Sequence, residues 1–424
     1  MTSNPTLTFA VIGKPNKGKS SIISALTFDN TIEVSSKIGT TKEANRYAYK
    51  YQDKEICYFY DTPGFEQAKA IYNLLDKNKN KPFTDFIQEH RDEKNYKKDI
   101  KIIEALLKSH FIIWVVNISE KYNKHAIGSE LEIIKTLKQQ KLVLLNQIEQ
   151  DKDYTDEWKN VLEKEKFTTY SFDPLDSSFL NIKNLFDKIF ENKIIKKDYR
   201  ENLINIQNTY EKHYRENLDY SIKKITSMIA AILAYEEKET FYIKKDIDNL
   251  KIKLIQNFRE EIYKLEKRDK KEIEKRWGYL EIEVKDRRKE FDAKMDLESS
   301  LLESLANILK KIIFIGLIPS KPSKKTAKCS FQKKDIDVSF TLLNRALSHL
   351  DQLINHGHAN RKPLEIINDE NNQKEWFSQE DKDSIAKIHR DLVSDRNPDN
   401  AKEELQNLLR NTVANKIIDL NKIS

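Results

Sequence analysis

The chain has 424 residues, of which 38% are hydrophobic and 34% charged, and its net charge is +7. That length allows two or three domains, and the low apolar fraction favours long helices with solvated faces over one large core. So small a charge excess does not mark a nucleic-acid binder, two distant cysteines (Cys57 and Cys329) exclude a disulfide framework, and the N-terminal "MTSNPTLTF" lacks the pattern of a secretory signal.

The first predicted strand, "LTFAVI", runs into "GKPNKGKSS" and then a helix from Ser20. Glycine is scarce, 8 in the whole chain, yet Gly13, Gly18, Gly39 and Gly64 all fall in the first 64 residues. The stretch fits GxxxxGK(S/T) between a strand and a helix, the pattern of a phosphate-binding loop. Gly13 and Gly18 permit backbone geometries that turn N–H groups inward as a nest for phosphate oxygens. Lys19 supplies charge to the β- and γ-phosphates, Ser20 Oγ is a ligand for Mg²⁺, and the helix start adds its positive end. Lys14, Pro15, Asn16, Lys17 and Ser21 complete the candidate cradle.

"IGTTK" (38–42) lies where a switch loop belongs. There Thr41, or Thr40, would complete the Mg²⁺ shell once a γ-phosphate is present. The strand "EICYFYDTPG" ends in DxxG: Asp61 would hold Mg²⁺, through water, and the Gly64 N–H would reach the γ-phosphate. Lys19, Thr41 and Gly64 are therefore the candidate catalytic groups, and Ser20, Thr41 and Asp61 the candidate Mg²⁺ ligands. From Gln67 to about Asp99 a charged stretch reads as a mobile insertion with some helix. Beyond it, "FIIWVVNIS" and "KLVLLNQ" are continuous apolar runs, as in strands buried on both faces. "GSELEIIKTLKQQ" and "YTDEWKNVLEKEK" are intervening helices, "FTTYSFD" a last strand and "FLNIKNLFDKIFE" a closing helix. Residues 1–195 thus predict an α/β domain, a mostly parallel sheet wrapped by helices.

Residues 196–424 predict an all-α domain. Between Pro174 and Pro319 there is no proline, and over about 200–298 there is a single glycine, Gly278, which permits long helices there. Ile225, Met228, Ile229, Ile232 and Leu233 form one apolar stripe. Ile243, Ile247, Leu250, Leu254, Phe258, Ile262, Leu265 and Ile273 form a second, with the three–four alternation of a coiled-coil or helical-hairpin seam. One uninterrupted helix to Met295 would span roughly 75 Å, so a break near Gly278 or a projecting helix is expected. "SSLLESLANILKKIIFIGLIPS" (299–320) is apolar but contains Glu303, Lys310 and Lys311, too charged to span a bilayer. It precedes a lysine cluster reaching Lys334. A core helix with a solvated linker, or peripheral contact with an anionic membrane, both fit this 299–334 segment. The remainder, 336–424, is helical, with Ser378 and Asp399 as N-caps. His349, His356 and His358 read as one helix-end and two loop histidines rather than a metal site.

Residues 10–21, 38–42 and 61–64 resemble the Era-like bacterial P-loop GTPases of the translation-factor-related class. A subgroup with a C-terminal helical domain of unknown function is closer still. There "YDTPGFEQA" precedes a similar charged insertion, and "LNRALSHLDQLINHGHANRKP" (343–363) is also similar. The resemblance implies GTP/GDP binding and Mg²⁺-dependent GTP hydrolysis. Such proteins read guanine with Asn-Lys-x-Asp; here the strand ends in Asn146, Gln147, Ile148 and Glu149. Asn146 is retained, Gln147 replaces the lysine, and Glu149 is one methylene longer than the usual carboxylate. Ser171 and Phe172 stand where the last base-contacting motif belongs. After DxxG this chain has Phe65 instead of a water-orienting glutamine. In related GTPases with "PNxGKS" the residue matching Asn16 helps hold K⁺, so cation-assisted hydrolysis is expected. The reading is a cytoplasmic GTPase switch whose partner is guanine nucleotide, with a protein partner or self-association through the long helices and no support for nucleic acid. A nucleotide-binding scaffold with negligible turnover and a dynamin-like assembly GTPase at the inner face of the membrane are the alternatives.

Overall fold

The computed structural model describes residues 6–29, 31–32, 44–77, 83–148, 152–174, 179–191, 197–242, 247–278, 324–331, 333, 335–355, 376–394 and 396–416. Thr40, Thr41, Glu149, Ile243, His356, His358 and the apolar stretch 299–320 lie outside the described residues. The chain divides into two compact units, Met1–Arg215 with Asn355–Arg361, and Glu216–Ile354 with Lys362–Ser424.

The first unit is an α/β layer structure. Its elements are β1 (Thr8–Ile12), α1 (Lys19–Thr27), β2 (Asn45–Tyr51), β3 (Lys54–Asp61), α2 (Ala68–Lys77), α3 (Phe83–His90), α4 (Lys97–Lys108), β4 (Phe111–Asn117), α5 (Lys124–Thr136), β5 (Gln140–Asn146), α6 (Thr155–Lys164), β6 (Thr168–Ser171) and α7 (Phe179–Phe190). The strands form one sheet in the order β2-β3-β1-β4-β5-β6. Every neighbouring pair is parallel except β2 with β3. β4 is buried at every position, as a strand covered by helices on both faces must be. Phe9 stacks on Phe59 and on Phe111, with centroids 5.1 Å apart in each case. The register pairs Val11 with Asp61, Ile12 with Trp114, Asn117 with Asn146 and Leu145 with Ser171. It therefore gathers the C-terminal ends of the parallel strands at one edge, where open α/β sheets bind ligands.

Two features depart from the sequence reading. β2 was not expected: "NRYAYKY" is an edge strand with Tyr49 alone fully buried, so its apolar signal is weak. The charged stretch after Gln67 carries more helix than expected in its described residues, 68–77 and 83–99. It forms α2, α3, a short 3-10 turn and the start of α4. Ile71, Phe86, Ile100, Ile103 and Ile133 from these helices and α5 make a small core of their own.

The second unit contains the latter part of α8 (Lys197–Ala234), which begins in the first, then β7 (Glu236–Tyr242), α9 (Ile247–Arg276), β8 (Lys324–Ser330), α10 (Ile336–Asn355), α11 (Gln379–Val393) and α12 (Pro398–Lys416). The first stripe is buried throughout: Ile225, Met228, Ile229, Ile232 and Leu233. From the second, Leu254, Phe258, Ile262 and Ile273 are buried. α9 closes at Arg276, and Gly278 follows with φ 79°, a left-handed geometry suited to glycine beyond a helix end. The helical region also holds an antiparallel pair, β7 with β8, from Glu236↔Ser330 to Tyr242↔Lys324. Part of the lysine-rich segment is thus a strand and not a linker. Ser378 caps α11 in a capping box with Asp381. Asp399 does not cap α12; the helix begins at Pro398 and Asp399 sits in its first turn, because proline is well suited to the first helical position. His349 lies inside α10, buried, with Nε2 3.3 Å from the Glu274 carboxylate.

Candidate functional site

The loop between β1 and α1 owes its shape to residues that accept unusual backbone geometry. Gly13 has φ 141°, and a Cβ there would lie 2.3 Å from the Val115 carbonyl oxygen. Gly18 has φ 86°, and its Cβ would meet Asn146 Nδ2 at 2.3 Å. Asn16, exposed between them, takes φ 59°, a left-handed conformation that asparagine tolerates better than most residues. The chain thus turns tightly enough to present its amides.

Lys19 is 6% exposed, and its Nζ donates to the carbonyls of Gly13 at 2.9 Å and Lys14 at 2.8 Å. The ammonium arches back over the loop. Burial pulls its pKa below the ordinary value, while the charges of Asp61 and Glu130 oppose that shift. Ser20 Oγ donates to Asp61 Oδ2 at 2.6 Å. Asp61 ends β3 and is 2% exposed. Two buried or half-buried oxygen groups, from motifs 41 residues apart in sequence, therefore meet. That pairing fits a hard divalent cation such as Mg²⁺, which takes one or two protein oxygens and completes its shell with water and phosphate.

The DxxG turn is packed against the same loop. Thr62 Oγ1 donates to the Val11 carbonyl at 2.8 Å. A Cβ on Gly64 would lie 2.5 Å from Pro15 Cδ, so only glycine allows this approach. Phe65, half-buried, packs against both apolar clusters of the unit.

At the end of β5, Asn146 is 3% exposed and its Nδ2 donates to the Lys17 carbonyl at 3.0 Å. It ties the phosphate loop to the neighbouring strand. Gln147 Nε2 donates to the Lys152 carbonyl at 3.1 Å. Ser171 is exposed at the end of β6, and buried Phe172 donates its N–H to the Leu145 carbonyl at 3.0 Å. The residues expected from the sequence, Gly13 to Ser21, Asp61, Gly64, Asn146 and Gln147, are thus brought to the C-terminal edge of the sheet.

Three acidic residues were not singled out from the sequence. Glu120 pairs with Lys17 of the loop. Asp99, fully buried at the start of α4, accepts from the backbone N–H of Glu66 at 2.9 Å and of Gln67 at 3.3 Å. Glu130, on α5 and 4% exposed, accepts from Trp114 Nε1 at 3.1 Å. Burial raises its carboxyl to about 7, against the charge of Lys19 and the Trp114 hydrogen bond. The one sign of Glu130 in the sequence is its place on the apolar stripe of α5, three residues after Ile127 and four before Ile134.

Residues 8–147 match the family described as 50S ribosome-binding GTPase. GTPase Der of Chlamydia muridarum is 42% identical over 74 residues, covering 18% of this chain and 15% of the relative. GTPase Der of Lachnospira eligens is 46% identical over 68 residues, covering 16% and 15%. The chain therefore spans 15% of the length of each of these curated relatives. Among solved structures, an Era variant of Aquifex aeolicus bound to GDP and AlF4- aligns with a TM-score of 0.32 at 15% identity, covering 63% of this chain and 88% of that one. The N-terminal α/β unit is a P-loop GTPase domain of the translation-factor-related class.

Proposed function

We propose that this chain binds GTP with Mg²⁺ and hydrolyses it to GDP and phosphate, as a switch whose nucleotide state is passed to the helical region. The observation that carries this reading is the Ser20 to Asp61 contact beside a glycine-hinged loop closed by Lys19. The loop amides and Lys19 hold the β- and γ-phosphates. Ser20 and Asp61, with Thr41, hold the metal, which would neutralise charge on the phosphate oxygens. Water attacks the γ-phosphorus, the bond to the β–γ bridging oxygen breaks, and GDP leaves with the electron pair. Gly64 N–H stabilises the γ-phosphate oxygens as charge redistributes.

Guanine is the proposed base. Asn146 fixes the base-side strand to the loop, while Gln147, Glu149, Ser171 and Phe172 are the proposed base-side contacts. Phe65 has no side-chain hydrogen bond to offer water, so a K⁺ ion held by Asn16 is proposed to supply the missing transition-state charge. The same Phe65 favours a second reading, a nucleotide-binding scaffold with negligible turnover. Among the described residues no helix is long and apolar enough to cross a membrane.

The test is GTP against ATP, each with Mg²⁺, in KCl and in NaCl, with Lys19→Ala as control. Expected are GTP turnover that is faster in KCl and a loss of at least about 100-fold in affinity for the variant. Equal rates in the two salts would remove K⁺ from the mechanism. Binding without turnover would select the scaffold. No heat on titrating wild-type protein with any purine triphosphate would end the GTPase reading.

A further inference from the structure

The six residues after β3 are held at almost every position. Thr62 is bonded to the Val11 carbonyl, Gly64 is pressed against Pro15, and Phe65 is seated between two apolar clusters. The last two, Glu66 and Gln67, present their backbone N–H groups to one oxygen, Asp99 Oδ1. Asp99 is 0% exposed and belongs to the first turn of α4, 32 residues further along the chain from Gln67. Burying a carboxyl group is costly: burial raises the Asp99 carboxyl above its ordinary value and Oδ2 is left without a hydrogen-bond partner among the described residues, while Oδ1 is committed to the loop backbone. Its geometry therefore serves the loop: it fixes residues two and three positions beyond Gly64. The exposed ion pair between Lys98 and Glu66 lies beside it and adds little by comparison.

From this we infer that Asp99 is a positioning residue for γ-phosphate recognition: it keeps the turn carrying Gly64 docked on the phosphate loop, so that the Gly64 N–H meets GTP without first having to be ordered. The inference rests on the GTP reading above and adds a residue that neither touches nucleotide nor belongs to any of its motifs. GDP has no γ-phosphate, so the advantage conferred by Asp99 belongs to GTP alone. A residue that merely held the fold together would alter both affinities alike. Ordering a segment in advance raises the affinity only of the ligand that needs it ordered.

The experiment measures the affinity of the full chain, with Mg²⁺, for GDP and for a non-hydrolysable GTP analogue, in wild type, Asp99→Ala and Asp99→Asn. Asp99→Ala removes the acceptor for both N–H groups. It is expected to weaken the GTP analogue at least about tenfold while changing GDP less than about twofold. Asp99→Asn keeps one carbonyl oxygen for the same two donors and is expected to recover most of the GTP affinity. Equal losses for the two nucleotides, or no loss for either, overturn the inference while leaving the GTP reading intact. Wild-type protein that binds neither nucleotide overturns both. Should Asp99→Ala fail to fold, amide hydrogen exchange in the wild type decides. Glu66 and Gln67 are expected to exchange slowly with GDP and with the GTP analogue alike, the turn being already docked. Fast exchange with GDP that slows only with the analogue shows a turn ordered by the γ-phosphate itself, and the inference falls.

Discussion

Glu130 shows how a single buried side chain sets a pH dependence. Burial raises its carboxyl from the ordinary value of 4.5 to about 7. A carboxyl raised on folding favours the fold while it is protonated, fully so below about 4.5, and that contribution is lost as pH rises through about 7. Glu130→Gln keeps an acceptor for Trp114 Nε1 and never ionises. It is expected to be more stable than wild type at pH 8, by about 3 kcal/mol, and to converge on it near pH 4. Urea unfolding at the two pH values measures the difference, and a constant gap would rule this origin out. The two loop glycines make a second comparison. An added Cβ at Gly13 strikes a backbone oxygen of β4, whereas at Gly18 it strikes the amide of the Asn146 side chain. Both alanines also strain a backbone region that side chains rarely adopt. Gly13→Ala should therefore lower the urea midpoint more than Gly18→Ala, which can be relieved by rotating Asn146; the reverse order would count against this account. The glycines were legible because their spacing is specific to one loop. Glu130 and Asp99 were not, because a charge on an apolar stripe gives no sign of what surrounds it until the helices are packed.

Elements with strong periodicity were legible, and the edge strand β2 was not. β1, β4 and β5 announce themselves as continuous apolar runs, and Ser378 announces α11. Removing that cap with Ser378→Ala is expected to cost about 1 kcal/mol, read as a lowered thermal midpoint; no change would mean that the capping box contributes nothing in solution. β2 was hidden because an edge strand with one packed face carries few apolar residues. α8 clarifies why this weak strand persists. Tyr210 stacks on Tyr49 at 4.0 Å, with the rings 2° from parallel, and its hydroxyl donates to the Leu26 carbonyl. His213 Nδ1 lies 3.2 Å from the Tyr49 hydroxyl. The β7–β8 pair could not be read at all, since its partners are 94 residues apart at Glu236↔Ser330 and neither carries an apolar run.

For the whole molecule, α8 decides where one unit ends. The change in composition places the border near residue 195, whereas the compact units divide at Arg215. The difference is the first part of α8, whose Leu203, Ile206 and Tyr210 are buried. A fragment of residues 1–195 would lose these three side chains and uncover Tyr49. Three large apolar groups are worth several kcal/mol, at about 1.5–3 kcal/mol each. The 1–195 fragment is expected to melt well below the 1–215 fragment; equal midpoints would put the border near residue 195.

The β7–β8 pair has a further consequence, during translation. β7 is made long before its partner: 94 residues separate Glu236 from Ser330, and at about 5–20 residues per second that is a wait of roughly 5–20 s. For that time the nascent segment has an open strand edge, and its charged "EEKET" start, in keeping unsuitable neighbours away, would act as a gatekeeper until the ribosome delivers the other half.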